Sequence, residues 1–140
     1  MQIALAETPE TIARCYPVMQ QLRPHLDADG FVARVEQQRL GGYQLAYLED
    51  EGEIKSLAGF RILETLSWGR TLYVDDLITA ETARSKGYGA TLFRWLIDHA
   101  RVNDCDQLHL DSGVQRFGAH RFYLNQGMAI VAHHFAMELE

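Results

Sequence analysis

Residues Arg84-Ser85-Lys86-Gly87-Tyr88-Gly89-Ala90 join an apolar, strand-like run, Leu72 to Thr79, to an amphipathic stretch, Thr91 to Val102. Such a junction commits the chain to a strand that turns sharply into a helix. At the first turn of a helix several backbone N–H groups lack intrahelical partners, and the helix dipole adds roughly half a positive charge there. An anion satisfies both. Gly87 and Gly89 carry no Cβ, so a pyrophosphate can approach the backbone, while Arg84 and Lys86 add full positive charges beside it. Taken alone, the glycines also fit a plain turn that starts a helix. The spacing R-x-x-G-x-G has Leu92 where a dinucleotide fingerprint carries its third glycine, and it does not end in G-K-[ST]. Neither common nucleotide motif fits.

The pattern is similar to the acyl-CoA pyrophosphate loop of the GNAT superfamily of N-acyltransferases, [RQ]-x-x-G-x-[GA] between a strand and a helix. Two further stretches carry the same resemblance. Upstream, Leu72-Tyr73-Val74-Asp75-Asp76-Leu77-Ile78-Thr79 resembles the strand that precedes this loop, which often bears paired acidic residues. Downstream, Ala119-His120-Arg121-Phe122-Tyr123-Leu124-Asn125-Gln126-Gly127-Met128 resembles the family's A-x-x-F-Y-x-x-x-G-[FM] helix ending. Three motifs stand in the family's order.

The chain has 140 residues, enough for one domain with a single substantial core. A hydrophobic content of 47% with 23% charged residues is ordinary globular composition, without repeats or low-complexity segments. No basic region followed by an apolar core opens the chain, and no apolar run has the length of a membrane span, so the cytoplasm is the expected compartment. Cys15 and Cys105 lie far apart without metal-ligand spacing, which argues against a disulfide framework and a zinc site. The net charge of -6 argues against a nucleic-acid partner and suits a cationic or amine substrate.

Along the chain, Gln2 to Ala6 reads as a first strand. Thr8-Pro9-Glu10 then supplies a cap, a first-turn proline and a first-turn acid for a helix to about Leu22, with Ile12, Cys15, Tyr16, Met19 and Leu22 as its buried stripe. A second helix is predicted from Asp29 to Gln38. Tyr43 to Glu49 and Ile54 to Leu63 read as a hairpin, and Arg70 to Thr79 as a third meander strand. The helix after the loop places Leu92, Leu96 and Ala100 on one face. The strand Gln107 to Leu110 completes a β-α-β crossover and so implies a parallel pair. Gln115 to Asn125 is predicted as helix. Val131, His133, Phe135, Met137 and Leu139 alternate, which predicts a last strand with one apolar face and His133 upon it.

These elements give an α+β domain over residues 1–140 with a mixed, mostly antiparallel sheet flanked by helices. The resemblance implies the GNAT fold, in which the parallel pair splays apart and the pantetheine arm of acetyl-CoA enters the gap. It places main-chain contacts to the arm at Leu77 and Thr79, an oxyanion-stabilising N–H near Leu77 or Ile78, and the pyrophosphate on Arg84 to Ala90. It also places the general acid for the departing thiolate at Tyr123. Where many members carry an Asn that touches the arm, this chain has Arg116, so that contact is lost or is replaced by one to a CoA phosphate.

The acceptor amine must lose a proton to attack, because a lysine-like amine is mostly charged at neutral pH. Asp75 and Asp76 are neighbours on one strand, so only one addresses a cleft unless a bulge intervenes. Asp75 shares its phase with Tyr73 and Thr79, Asp76 with Val74 and Ile78; phase and resemblance both favour Asp75 as base and Asp76 as a substrate-binding carboxylate, with Asp76 or water as the alternative base, and both carboxylates also fit a structural role or the holding of a cationic substrate. Arg23, His25 and Arg34 lie where the family borders its acceptor pocket. His134 lines the acceptor site or is a surface residue; no metal is expected.

The expected function is a cytosolic N-acetyltransferase moving an acetyl group from acetyl-CoA directly to a primary amine of a small molecule, amino acid or peptide. A homodimer is a tendency of the family. The rival readings are an acyl-CoA sensor of the same fold without turnover, and a nucleotide- or dinucleotide-binding protein.

Overall fold

A computed structural model describes residues 1–140. The chain divides into two compact units, Met1–His109 and Leu110–Glu140. The first holds β1 (Gln2–Leu5), α1 (Pro9–Leu22), α2 (Ala28–Leu40), β2 (Gln44–Asp50), β3 (Glu53–Thr65), β4 (Gly69–Thr79), a 3-10 turn (Glu81–Ala83) and α3 (Tyr88–Val102), and β5 (Gln107–Leu110) begins in it. The strands lie in the order β1-β2-β3-β4-β5. The first three pairings are antiparallel and the crossover through α3 makes β4 and β5 the parallel pair of a mixed sheet.

Local chemistry sets the element ends. Thr8 Oγ1 accepts from Thr11 N at 3.2 Å and Pro9 opens α1; Asp27 Oδ1 accepts from Gly30 N at 2.8 Å and opens α2. Each cap satisfies a donor that the helix leaves without a partner, worth about 1 kcal/mol. Glu51 and Gly52, at φ 56° and 76°, make the tight β2–β3 turn, whose two left-handed residues match the twist of the strands.

Helices cover both faces of this sheet. Ile12, Cys15 and Met19 of α1 and Phe31 and Val35 of α2 pack with Leu45, Tyr47, Leu57 and Ile78. Ala46, Leu48, Ala58 and Phe60 alternate with those strand residues and so face the other way, where α3 buries Leu92, Phe93 and Leu96. The ring of Phe60 meets Trp95 of α3 edge-on at 6.2 Å.

One irregularity in this unit decides how the site is built. Gly59 pairs with Asp76 but the next residue, Phe60, pairs with Val74, so Asp75 is the extra residue of a β-bulge in β4. The bulge resets the alternation. Ile78 and Asp76 keep the phase that faces α1 and α2, whereas Val74 and Leu72 are buried in the opposite phase. The sequence expectation that Asp76 shares a face with Val74 is therefore corrected.

In the second unit, α4 spans Phe117–Asn125, two residues shorter than predicted at its start. Gly127, at φ 93°, closes it, with Gly127 N donating to Leu124 O and Met128 N to Tyr123 O, both at 3.1 Å. This pair of bonds is the Schellman ending that a left-handed glycine permits. The predicted last strand does not form: no regular element follows α4. Val131, Phe135, Met137 and Leu139 are 76–92% exposed, and His133, expected on a packed face, is exposed as well. Alternation supplies an apolar face, but a strand also needs a neighbour for its backbone N–H and C=O groups, and residues 129–140 pair with none.

Candidate active site

A cleft of about 470 Å³ lies in the first unit, walled by α1, α2 and the bulged part of β4. Its floor carries Tyr73, Asp75 and Asp76 together. A regular strand would turn one aspartate away; the bulge gives both carboxylates to the same space.

The two carboxylates differ in what holds them. Both oxygens of Asp76 are engaged: Arg23 Nε donates to Oδ1 at 2.9 Å and the Tyr43 hydroxyl to Oδ2 at 2.8 Å. Arg23 Nη2 also donates to the main-chain oxygen of Asp75 at 3.0 Å, which clamps the bulge. Asp75 receives one donor, Arg61 Nε, at 2.8 Å on Oδ2. Its Oδ1 is buried and has no hydrogen-bond partner. Burial pushes the Asp75 carboxyl above the ordinary carboxylate range, against the opposing pull of Arg61. Asp75 thus keeps a lone pair for an incoming proton, whereas Asp76 is a fixed strut. Burial and the adjacent Asp76 carboxylate drive the Tyr43 hydroxyl well above its usual value, so it stays a donor.

Gly59 makes the arrangement possible. A Cβ there would come 2.6 Å from Asp76 Oδ2 and 2.5 Å from Tyr43 Cζ, closer than real contacts allow. Arg61 continues the network, donating through Nη2 to Gln38 Oε1 at 2.8 Å and lying 5.4 Å from the centre of the Tyr43 ring. Tyr43, Gly59, Arg61 and Gln38 were not singled out from the sequence. The one signal available was a glycine inside a strand pattern, a mark of a bulge or of close approach.

Past the cleft, β4 runs into the loop. Leu77, Ile78 and Thr79 pair with Ala58, Leu57 and Ser56 of β3. The buried Ser56 hydroxyl donates to Ile78 O at 2.9 Å, which anchors the strand end. On its other side β4 is tied to β5 at the starts of both strands, where Asp106 N donates to Arg70 O at 2.6 Å and Arg70 N to Asp106 Oδ2 at 3.1 Å. Those ties lie at the far end of β4 from Leu77 to Thr79.

The loop has the features an anion requires. Arg84, Ser85, Lys86 and Gly87 are exposed; Ser85 and Gly87 take left-handed φ values of 67° and 84°. No side chain caps the N-terminus of α3, so its first N–H groups point outward without a protein acceptor. A Cβ at Gly87 would meet nothing within 4 Å, which leaves open space over the turn. The Tyr88 hydroxyl donates to Asp50 Oδ2 at 2.8 Å and fixes the start of α3 to the end of β2; that bond lowers the Asp50 carboxyl. Gly89 and Ala90 form the first turn of the helix. An uncapped helix start beside two exposed cations suits a bound anion.

In the second unit Arg116 immediately precedes α4 and Tyr123 lies within it. Burial raises the Tyr123 hydroxyl above its usual value, which keeps it protonated at neutral pH. His134 is exposed, with Nδ1 3.2 Å from Asp111 Oδ1. No three His, Cys, Asp or Glu side chains come together as a metal site, and both cysteines are free. No helix is long and apolar enough to cross a membrane.

A mixed five-stranded sheet with helices on both faces is the fold of the GNAT acetyltransferases. The model of the acetyltransferase (GNAT) family matches residues 6–128, and the chain belongs to that family. An uncharacterized N-acetyltransferase of Bacillus subtilis (strain 168), YhdJ, is 36% identical over 118 residues, which cover 84% of this chain and 83% of that one. The ribosomal-protein-alanine N-acetyltransferase of Brucella melitensis biovar Abortus 2308 has the same fold, with a TM-score of 0.85 at 18% identity over 99% of this chain and 100% of that one. AAC(6')-Iy, solved with the bisubstrate analogue CoA-S-monomethyl-acetylneamine, matches with a TM-score of 0.83 at 11% identity over 99% and 97% of the two chains.

Proposed function

We propose that residues 1–140 act as one catalytic domain, a cytoplasmic N-acetyltransferase that moves the acetyl group of acetyl-CoA directly to a primary amine of a small molecule, amino acid or peptide. The observation that carries this reading is the buried, unpartnered Oδ1 of Asp75, set in a cleft on the strand that leads into the phosphate loop. Acetyl-CoA supplies the thioester; the rest is done by the chain.

Arg84, Ser85, Lys86, Gly87, Tyr88, Gly89 and Ala90 hold the pyrophosphate through main-chain N–H groups and two cations. The main chain of Leu77 and Thr79 pairs with the amides of the pantetheine arm as an added strand would, and an N–H near Leu77 or Ile78 faces the developing oxyanion. Arg116 reaches a CoA phosphate. The acceptor amine gives its proton to Asp75 Oδ1, whose raised pKa makes it a better proton acceptor than an exposed carboxylate. Asp76 positions the bulge and borders the substrate. Tyr123 protonates the departing thiolate and is already protonated to do so. His134 borders the acceptor. A homodimer is part of the proposal, supported by the exposed apolar residues of 130–139.

Thiol release from acetyl-CoA across a panel of amines tests the reading. Turnover that falls in Asp75→Asn most at neutral pH, and least at high pH where free amine is abundant, is the expected result. Acetyl-CoA binding without thiol release for any amine would make the protein a sensor instead.

A further inference from the structure

We infer that the acceptor carries an anionic oxyacid group, a carboxylate or a phosphate, held by Arg34 at the α2 wall of the cleft while its amine meets Asp75. This rests on the proposed acetyltransferase reading and narrows its substrate class.

The argument is a charge balance. Inside the cleft the two carboxylates are already matched: Arg61 holds Asp75 and Arg23 holds Asp76. Arg34 also lines the cleft, one helical turn from Gln38 on the same face of α2, and no acceptor of the protein holds its guanidinium. His25, on the loop before α2, lines the same wall and offers a further ring nitrogen. An amine that arrives charged hands its proton to Asp75 and neutralises that carboxylate, so it does nothing to offset the guanidinium of Arg34. Counting Arg61, which pairs with Asp75 without lining the cleft, three guanidinia stand against two carboxylates, within a chain whose net charge is -6.

A surplus cation in a concave site favours an anionic ligand group, and a planar guanidinium binds carboxylate or phosphate oxygens through two parallel bonds. The cleft volume of about 470 Å³ exceeds what a bare amine fills and leaves room for a chain that links the two groups. The unpaired Asp75 Oδ1 fixes the amine end and Arg34 the acid end. Such an acceptor is bound in one direction only.

Matched pairs test this: glycine, β-alanine and longer ω-amino acids, each against its primary amide, and phosphoethanolamine against ethanolamine. Each pair is measured both as kcat/KM in thiol release and as binding by calorimetry in the presence of CoA. We expect at least one acid to exceed its uncharged analogue by about tenfold, the low end for a charge-assisted bond at an exposed side chain. Arg34→Gln should lower the acid more than its uncharged analogue and so remove that preference, and Arg34→Lys should restore part of it. The carboxylate and phosphate arms tell the two sources apart. Equal binding and turnover within every pair, or an equal loss for acids and amides in Arg34→Gln, overturns the inference. The acetyltransferase reading fails by a different sign, the absence of thiol release with every amine, and the calorimetry still reads the acid preference.

Discussion

Gly59→Ala should break the cleft without touching a group that reacts. The added methyl would stand 2.6 Å from Asp76 Oδ2 and 2.5 Å from Tyr43 Cζ, so the Tyr43–Asp76 hydrogen bond of 2.8 Å cannot persist in place. Overpacking of this kind costs about 1–3 kcal/mol, and a hydrogen bond to a charged group contributes about 1.5–3 kcal/mol. Retreat of Tyr43 relieves the first at the expense of the second, so the two do not simply add, and a loss of about 3 kcal/mol follows. For a chain of this length each kcal/mol moves Tm by roughly 3 °C, which gives a fall of about 10 °C. Because Asp76 and Arg23 also clamp the bulge, kcat/KM should fall by about tenfold or more. Calorimetry and thiol-release kinetics on Gly59→Ala, Tyr43→Phe and the double variant close the cycle. Tyr43→Phe removes the hydroxyl, the atom nearest the new methyl, so the double variant should lose less than the sum of the singles by about 1 kcal/mol. A Tm within about 2 °C of the wild type with unchanged kcat/KM, or strict additivity, would refute the close approach.

Three further outcomes are expected. Burial holds the Asp75 pKa above its unfolded value, so its contribution to stability is full below the ordinary carboxylate range and is lost as pH rises through the raised pKa. Asp75→Asn should therefore gain in Tm relative to the wild type between pH ~4 and pH ~7, and a relative loss over that interval in calorimetry would contradict the raised pKa. Arg84→Glu sets an anion against the pyrophosphate and should weaken acetyl-CoA binding by about tenfold or more in calorimetry, with circular dichroism unchanged; wild-type affinity would remove the loop from the CoA site. Tyr123→Phe keeps the ring and removes the proton donor, so kcat should fall by at least about tenfold with acetyl-CoA affinity nearly unchanged; a wild-type rate where chemistry limits would leave Tyr123 a packing residue.

What the sequence disclosed, and what it withheld, follows the range of the interactions. The helices were legible because their signals are local: Thr8 and Pro9 announce α1, and the spacing of Ile12, Cys15 and Met19 marks its buried face. The sharp turn into α3 was legible for the same reason, since its glycines and the helix start are contiguous. The partners of the two aspartates were not. Arg23 lies 53 residues from Asp76, and Tyr43 lies 33 away. No spacing rule links such positions. The docking of α1 on β4 and the pairings of β2 with β3 and β3 with β4 bring them together, and the last of these slips by one residue at Gly59. The slip also reverses the face assignment that strict alternation gives for everything before Asp75.

The tail shows the complementary limit. Val131, His133, Phe135, Met137 and Leu139 have a strand's alternation as clear as any in the chain, and they form no strand. Alternation reports which side chains would share a face; it carries no information on the neighbour that must take up the backbone hydrogen bonds. β5, with only four residues and equally modest propensity, forms because α3 delivers it beside β4 and Asp106 bonds to Arg70 at its start. Delivery, more than pattern, separates the two segments. The same distinction explains why both acids of β4 reach the cleft: their side chains are encoded in place, but their direction is set by a neighbouring strand.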